Sequence, residues 1–505
     1  MSLSPRPWNI ASSLIGLSLT VLAAVHWPVF PYFFDSTYHL AVIQGFLEAG
    51  GPVLHAFWEA APQGRPHLYP PLFHLLFSPL VAVGLAPIAL AKLWSVLSFP
   101  LLLFSAWKVT SRIASPRMAC LTLVALASSF GFFLGSINYL PANAVLILSL
   151  WMMLALHHQR PLAAGLLLAM TFWLHVGLSG LLGLAVVIYG LITPGQRKLA
   201  LKTFLIGLVG AAPWLLHLVQ HLSLLQLQPR GEELLLENPI FLMALGAVGL
   251  GLAWRSPVKI HRFLVALLIG FLPMAWGYRF RFLATQGLFP WLLLAGLTLD
   301  WLIGQADKRS SKKWMAGALM GLLFLAPTLH RNPEQGARLA WADTTLVLLA
   351  GGPQQVTRPT AQGLFHEKFM SELSLAIEAH TTPEELIYSN IPYLAGMLTV
   401  LTGRATTNQM LREMADRTEE DQIRPAKLIL WLKDPTGQRP RALQAAALKY
   451  HLRPLGETEI AYLYVNPRAT GKKRAELPIV PIPLALGLVG ILTAATVWDF
   501  KRKSG

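Results

Sequence analysis

The chain has 505 residues, 54% of them hydrophobic and only 13% charged, with a mean hydropathy of +0.51. That composition excludes an ordinary soluble protein, because apolar runs long enough to cross a bilayer, about 17–25 residues, recur from residue 9 to 330 and again at 478–498. The formal charge of +16 does not indicate nucleic acid: residues 331–477 are nearly balanced, with 18 Lys/Arg against 16 Asp/Glu. The rest of the chain holds 23 bases against 9 acids, and those bases cluster in short loops, which is a membrane-topology signal.

In chain order, the first apolar segment resembles a signal peptide in length. Its tail, "LAAVHWPVFPYFFD", is bulky where a cleavage site needs small residues, so it reads as an uncleaved first span. The basic loops at 108–117, 157–160, 195–202, 254–262 and 307–313, with the tail "KRKSG" and Arg6, contain 18 of those 23 bases. Placing all of them in the cytoplasm requires an odd number of crossings between residues 30 and 108, where two apolar segments lie. The segment 71–86 opens "PPLFHLLFSP", interrupted by prolines and His74, and reads as an interfacial or re-entrant helix. The resulting spans are 9–29, 88–107, 118–136, 141–157, 161–176, 177–193, 203–220, 239–253, 263–277, 283–303, 314–329 and 478–498. Cys120, the single cysteine, lies in an apolar run, so no internal disulfide forms.

Residues 331–477 change character. Strand-like runs "ELIYSN", "AKLILWL" and "AYLYVN" alternate with helical runs "FMSELSLAIEA", "YLAGMLTVLTG" and "RALQAAALKY", which predicts a small α/β domain. It shows neither a Gly-rich phosphate loop nor a Ser/His/Asp spacing, so its expected role is a lid or an acceptor-docking module. The predicted architecture is thus an α-helical polytopic membrane protein of about twelve transmembrane helices with an extracytoplasmic α/β domain. Residues 1–330 form the membrane domain with a long first outer loop at 30–87. Residues 331–477 form the outer domain, and 478–505 a final span with a basic tail. Both termini are expected in the cytoplasm, and the protein in the plasma membrane.

The first outer loop carries the chemistry. At about 55 residues it is long for a connection, and loops of that length tend to be functional. Asp35 follows the first span directly, at headgroup depth, where a carboxylate needs compensation; it reads as a site residue and equally as the N-cap of the helical pattern "DSTYHLAVIQGFLEAG". Glu59 reads as a second acid or as a solvated rim charge. His39 lies four residues after Asp35 and shares its helix face, and His67 and His74 lie downstream. Such a set would bind zinc or hydrogen-bond sugar and phosphate; three ligands at defined geometry are not visible, so no metal residues are assigned, no cofactor is required and a divalent metal stays an alternative. His175, in "FWLHVGLSG", is a sugar or phosphate contact or a satisfied buried residue.

The order of first span, acid, helix, second acid and then "GRPHLYPPLFHLL" resembles the GT-C superfamily of polyprenyl-phosphate-sugar glycosyltransferases, above all protein O-mannosyltransferases and the lipid A aminoarabinose transferase. "YRFRFLATQGLFPWLLLAGL" is similar to the entry of a late span in that family. The resemblance implies Asp35 as the general base and Glu59 as the family's second acid. It implies Arg279 and Arg281 as the cations that hold the donor phosphate, a role arginine's fork suits. His39, His67, Tyr69, His74, Asn143 and His175 are the remaining substrate-contact candidates. Where the family pattern has a further acid, "NYLPANAV" offers only Asn138 and Asn143. The oligosaccharyltransferase acidic pair and Trp-Trp-Asp motif are missing as well, which argues against transfer to asparagine.

The implied function moves a sugar from a polyprenyl-phosphate-linked donor to a lipid, glycan or protein acceptor, with no nucleic-acid partner. A lipid-linked sugar transporter or flippase and a noncatalytic assembly subunit are the alternatives. The chain shows no internal repeat of the kind transporters carry.

Overall fold

The computed structural model describes residues 5–502 apart from 30–34, 139, 227–235, 308–320, 322–324, 326, 333–335, 342–343, 352–366, 411–413, 415–416 and 434–438. The predicted span 314–329, the loop 307–313 and the tail "KRKSG" lie largely outside the described residues.

The first helix, α1 (Pro5–Val25), is followed by α2 (Asp35–Ala49), a hairpin of β1 (His55–Ala56) and β2 (Arg65–Pro66), and α3 (Leu72–Ala82). The bundle continues with α4 (Pro87–Ile113), α5 (Pro116–Ala127), α6 (Phe130–Asn138), α7 (Leu140–His157), α8 (Pro161–Leu174), α9 (Val176–Ile192) and α10 (Arg197–Gln220). Strand β3 (Leu236–Asn238) precedes α11 (Ile240–Arg255), α12 (His261–Phe271), α13 (Met274–Gly277), α14 (Arg279–Ala284) and α15 (Leu288–Asp307). Prolines start α4, α5 and α8 because the first helical turn needs no amide donor there.

Among the described residues, five helices are long and apolar enough to cross a bilayer, six if α5 and α6 count as one. α1 exposes Ile10, Leu14, Leu17 and Val21 along one side, an apolar stripe suited to lipid. Among the described residues, predicted spans are broken at more than one place. The segment 118–136 bends by 83° between α5 and α6. There Ser128 Oγ donates to the Val124 carbonyl, and Ser129 Oγ accepts from the Phe132 amide, ending one helix and capping the next. The segment 263–277 divides at Pro273, which cannot donate an intrahelical hydrogen bond. α3 is only 11 residues long, about 16 Å at 1.5 Å per residue, against roughly 30 Å of hydrocarbon.

Helix directions alternate along the chain. Asn9 of α1 meets Trp107 near the far end of α4. Ser98 and Ser105 of α4 face Asn143 and Trp151 of α7, so those two run parallel. Gly165 and Ala169 of α8 pack beside Ile206 and Gly210 of α10, whereas Gly183 and Gly190 of α9 pack beside Phe204 and Ala200 in the opposite sense. His175 is therefore the whole reversal between α8 and α9. Close approach relies on small residues: a Cβ on Gly249 of α11 would stand 2.1 Å from the Leu294 carbonyl oxygen of α15.

The basic turns meet at one end of this bundle. Arg117 Nε donates to Asp300 Oδ1 at 2.7 Å, Gln159 donates to Gln196, and Arg160 donates to the Asp499 carbonyl of the C-terminal helix Ile482–Arg502. At the other end, the α/β unit contains β6 (Ile387–Ser389), β7 (Leu428–Leu432), β8 (Arg453–Glu457) and β9 (Ala461–Val465) in the order β6-β7-β9-β8. β6 and β7 are parallel and the other pairs antiparallel. The three strands and three helices read from the sequence all form. The edge strand β8, with Pro454 and a bulge, carries too little apolar alternation to be read. A second sheet joins β3 to β4 (Thr328–Asn332) and β5 (Gly336–Ala340), also unanticipated. It draws residues 236–238 into contact with residues 328–332, ahead of the α/β unit.

Candidate active site

The segment between α1 and α4 folds against the α/β unit through a continuous seam. Gly45 of α2 seats the Trp58 ring so closely that a Cβ there would lie 2.0 Å from it. The amides of Ala60 and Ala61 donate to the carbonyls of Asn408 and Thr406 at 2.8 and 3.1 Å, and the Thr406 amide returns a bond to the Trp58 carbonyl at 2.9 Å. Asn408 is itself fixed: its side chain accepts from the Ser389 amide and donates to the Ser389 carbonyl.

Asp35 is the first residue of α2 and half-buried, where a carboxylate complements the positive end of the helix. One turn on, His39 is buried, with Nδ1 3.0 Å from Nε2 of His74 on α3. Tyr69 joins the same cluster, its ring 4.8 Å from His39, 5.8 Å from His74 and 5.9 Å from His175. His175 in turn lies within electrostatic range of Arg281 on α14. The structure thus brings together His39, Tyr69, His74, His175 and Arg281, from three separated parts of the chain, beside the helix that Asp35 begins.

Arg281 is half-buried and stacks over Tyr278 and Phe280, while Arg279 is exposed on the same short helix. α14 is pinned to α6, since Gly135 lies against Thr285 and Gln286 Nε2 donates to the Gly135 carbonyl.

The histidines between α1 and α4 that join this cluster are held neutral. Burial lowers the pKa of His39, His67 and His74 well below the ordinary imidazole value. The neighbouring His74 and His175 push His39 further down, and the Arg65 charge does the same for His67. His67 is fully buried against Phe46, Trp58 and Trp214, and among the described residues neither ring nitrogen has a hydrogen-bond partner. Its carbonyl faces His217 Nε2 at 2.9 Å.

Glu59 is placed differently from Asp35. It is 0% exposed, with Oε1 paired to Arg65 and Oε2 accepting from the Met410 amide at 2.7 Å. Arg65 is itself 4% exposed, and its Nη2 also reaches the Tyr38 hydroxyl on α2 at 3.4 Å. In the sequence alone, Arg65 and Met410 have no assigned role, and Tyr38 has none beyond the aromatic character of the loop. A lone Arg six residues after a Glu carries no signal for burial. Asn143 is fully buried at the start of α7, donating to the Ser98 carbonyl at 2.9 Å, and among the described residues its Oδ1 has no partner. Its hydrogen bond among the described residues is to α4, not to the histidine cluster. Among the described residues no three His, Cys, Asp or Glu side chains converge to hold an ion, and His39 and His74 already face each other.

No protein-family model matches the chain, and no curated protein matches it in sequence. Solved structures do. The aminoarabinose transferase ArnT from Cupriavidus metallidurans, bound to undecaprenyl phosphate, superposes with a TM-score of 0.55 at 15% identity, covering 89% of this chain and 98% of its own. The oligosaccharyltransferase AglB from Archaeoglobus fulgidus, in complex with an inhibitory peptide and a dolichol-phosphate, gives a TM-score of 0.59 at 11% identity over 92% and 75%. Another structure of that archaeal enzyme, with zinc and sulfate, matches at 0.56. At these identities the likeness establishes architecture, and the chain has the fold of the GT-C superfamily to which both enzymes belong.

Proposed function

We propose that the protein is a membrane glycosyltransferase that moves a sugar from a polyprenyl-phosphate donor to an acceptor hydroxyl. One observation carries the reading. Asp35 and His39 share a face of α2, and His39 connects through Tyr69 and His175 to Arg281. Asp35 and Arg281, the base and the phosphate-binding cation of this reading, thereby lie around one cluster, although about 250 residues separate them in sequence. The bound lipid phosphates of the fold neighbours support the same donor class.

In the proposed step, Asp35 accepts the proton of the acceptor hydroxyl as its oxygen bonds to the anomeric carbon. The bond from that carbon to the phosphate oxygen breaks, and the electron pair leaves with the polyprenyl phosphate. Arg281 and Arg279 stabilise the charge that develops on the departing phosphate. Attack opposite the leaving group inverts the anomeric centre. The neutral His39 and His74, with Tyr69 and His175, offer hydrogen bonds to sugar and phosphate.

The topology belongs to the same proposal. Twelve spans, cytoplasmic termini and an outward-facing site in the plasma membrane are supported by the alternating helix directions and by the gathering of basic turns at one end. The acceptor is a lipid, glycan or protein hydroxyl.

The test is to incubate the purified protein with a panel of polyprenyl-phosphate sugars and measure released polyprenyl phosphate. Release that depends on the acceptor supports transfer. Movement of donor across vesicles without release would favour the transporter alternative, and neither would favour a noncatalytic subunit.

A further inference from the structure

The buried ion pair of Glu59 and Arg65 forms a relay between the outer α/β unit and the helix that Asp35 begins. At one end the segment 406–410 is held to the β6 region by the Asn408 side chain and by Thr406 Oγ1, which donates to the Ile387 carbonyl at 3.1 Å. That segment donates the Met410 amide to Glu59 Oε2 and exchanges three backbone hydrogen bonds with residues 58–61. Glu59 Oε1 then meets Arg65 Nη2, which continues to the Tyr38 hydroxyl, while Arg65 Nη1 donates to the Pro66 carbonyl at 2.9 Å. Tyr38 is on the first turn of α2, three residues from Asp35. On the same helix, Thr37 touches the outer helix Pro392–Thr402 at Gly396, where a Cβ would stand 2.6 Å from Met410 Sδ and 3.2 Å from Thr37 Oγ1.

We infer that Glu59 is a positioning residue: it couples docking of the α/β unit to the placement of the α2 N-terminus, and so to the alignment of Asp35. This rests on the reading of Asp35 as the base. Two charges buried to this degree carry a large desolvation cost, and with one partner removed the other cannot stay where it is. An adjustment of α2 by about 1 Å is enough to cost roughly 10²-fold in turnover where the reacting groups must align. Glu59 itself, sealed at 0% exposure between Arg65 and Met410, does not face a substrate.

The experiment uses the full chain in lipid nanodiscs and two variants that perturb the relay from opposite sides. Glu59→Gln keeps an acceptor for the Met410 amide and removes the charge pairing. Gly396→Ala inserts a methyl between the outer helix and α2 and leaves Glu59 intact. Both should accelerate hydrogen exchange at the amides of Ala60, Ala61 and Thr406 and in the first turn of α2. Both should also lower kcat, by about 10²-fold for Glu59→Gln, with the donor KM within about twofold and the acid limb of the kcat/KM profile retained. Unchanged exchange in the two folded variants overturns the relay, and so does faster exchange with wild-type kcat. Loss of the acid limb in Glu59→Gln overturns the positioning role, because Glu59 would then be the proton acceptor. If the wild-type protein releases no polyprenyl phosphate, the transferase reading fails, and the exchange arm alone decides the docking claim.

Discussion

Replacing Asp35 by asparagine separates its place at the helix start from the proton-acceptor role proposed for it, because the structural and chemical costs differ in size. Asp35 is the first residue of α2 and half-buried. Asparagine is about as good as aspartate at a helix start, so the loss is mainly the charge–dipole attraction, about 0.3–1 kcal/mol. Loss of a positioned base costs about 10²–10⁴-fold in rate, equivalent to about 2.7–5.4 kcal/mol of barrier. The barrier change therefore exceeds the stability change severalfold. The assay is single-turnover release of polyprenyl phosphate in nanodiscs, beside thermal unfolding of the same preparation. Asp35→Asn is expected to unfold within a few degrees of wild type, to turn over at least 10²-fold more slowly, and to lose the acid limb of its rate profile. A folded variant within tenfold of wild-type turnover would refute the assignment and move attention to the histidine cluster.

Three further outcomes follow from the geometry. Removing both Arg279 and Arg281 as alanines should raise the apparent KM for the donor more than it lowers saturated kcat, because a phosphate contact exists in the ground state too; an unchanged donor KM returns them to membrane anchoring. Arg65→Ala strands the buried Glu59 carboxylate and should cost about 3–5 kcal/mol, seen as a lower denaturation midpoint; a midpoint equal to wild type would mean that water reaches the pair. The lowered pKa values of His39, His67 and His74 make stability pH-dependent. These rings stay neutral when folded, so above about pH 6.5 they contribute no difference, and below it the unfolded state takes up protons and gains. Stability should thus fall with acidification below about pH 6.5, by up to about 1.4 kcal/mol per pH unit for each ring, and His67→Phe should flatten that slope; an identical slope in the variant would mean that His67 titrates normally.

Local patterns in the sequence were legible because they need no partner. The periodicity of 35–49, the prolines that bound 72–82, the alternation of "AKLILWL" and the clustering of bases each report on one segment. The spacing of Asp35 and His39 belongs to that class. The break at Ser128–Ser129 was hidden, because an uninterrupted apolar run looks the same whether the helix continues or bends. The same limit hid β3, three residues whose pairing partner at 328–332 lies some 90 positions away. It also hid Arg65, because its burial depends on where Glu59 and residues 406–410 go. Sequence reasoning could see that Glu59 was an acid in an important loop. It could not distinguish a carboxylate facing a ligand from one with both oxygens already held.

That distinction also explains why two acids in one loop suit different tasks. Asp35 begins a helix at partial exposure, beside neutral imidazoles, where a proton can arrive and leave. Glu59 is closed in by Arg65 and Met410, where any proton transfer would leave a buried cation without its partner. The neutrality of the histidines matters to the same end. Charged rings at His39 and His74 would repel each other across 3.0 Å. In the proposed transfer these rings, kept neutral by burial, donate to a phosphate or a sugar oxygen while Arg281 carries the charge and Asp35 takes the acceptor's proton.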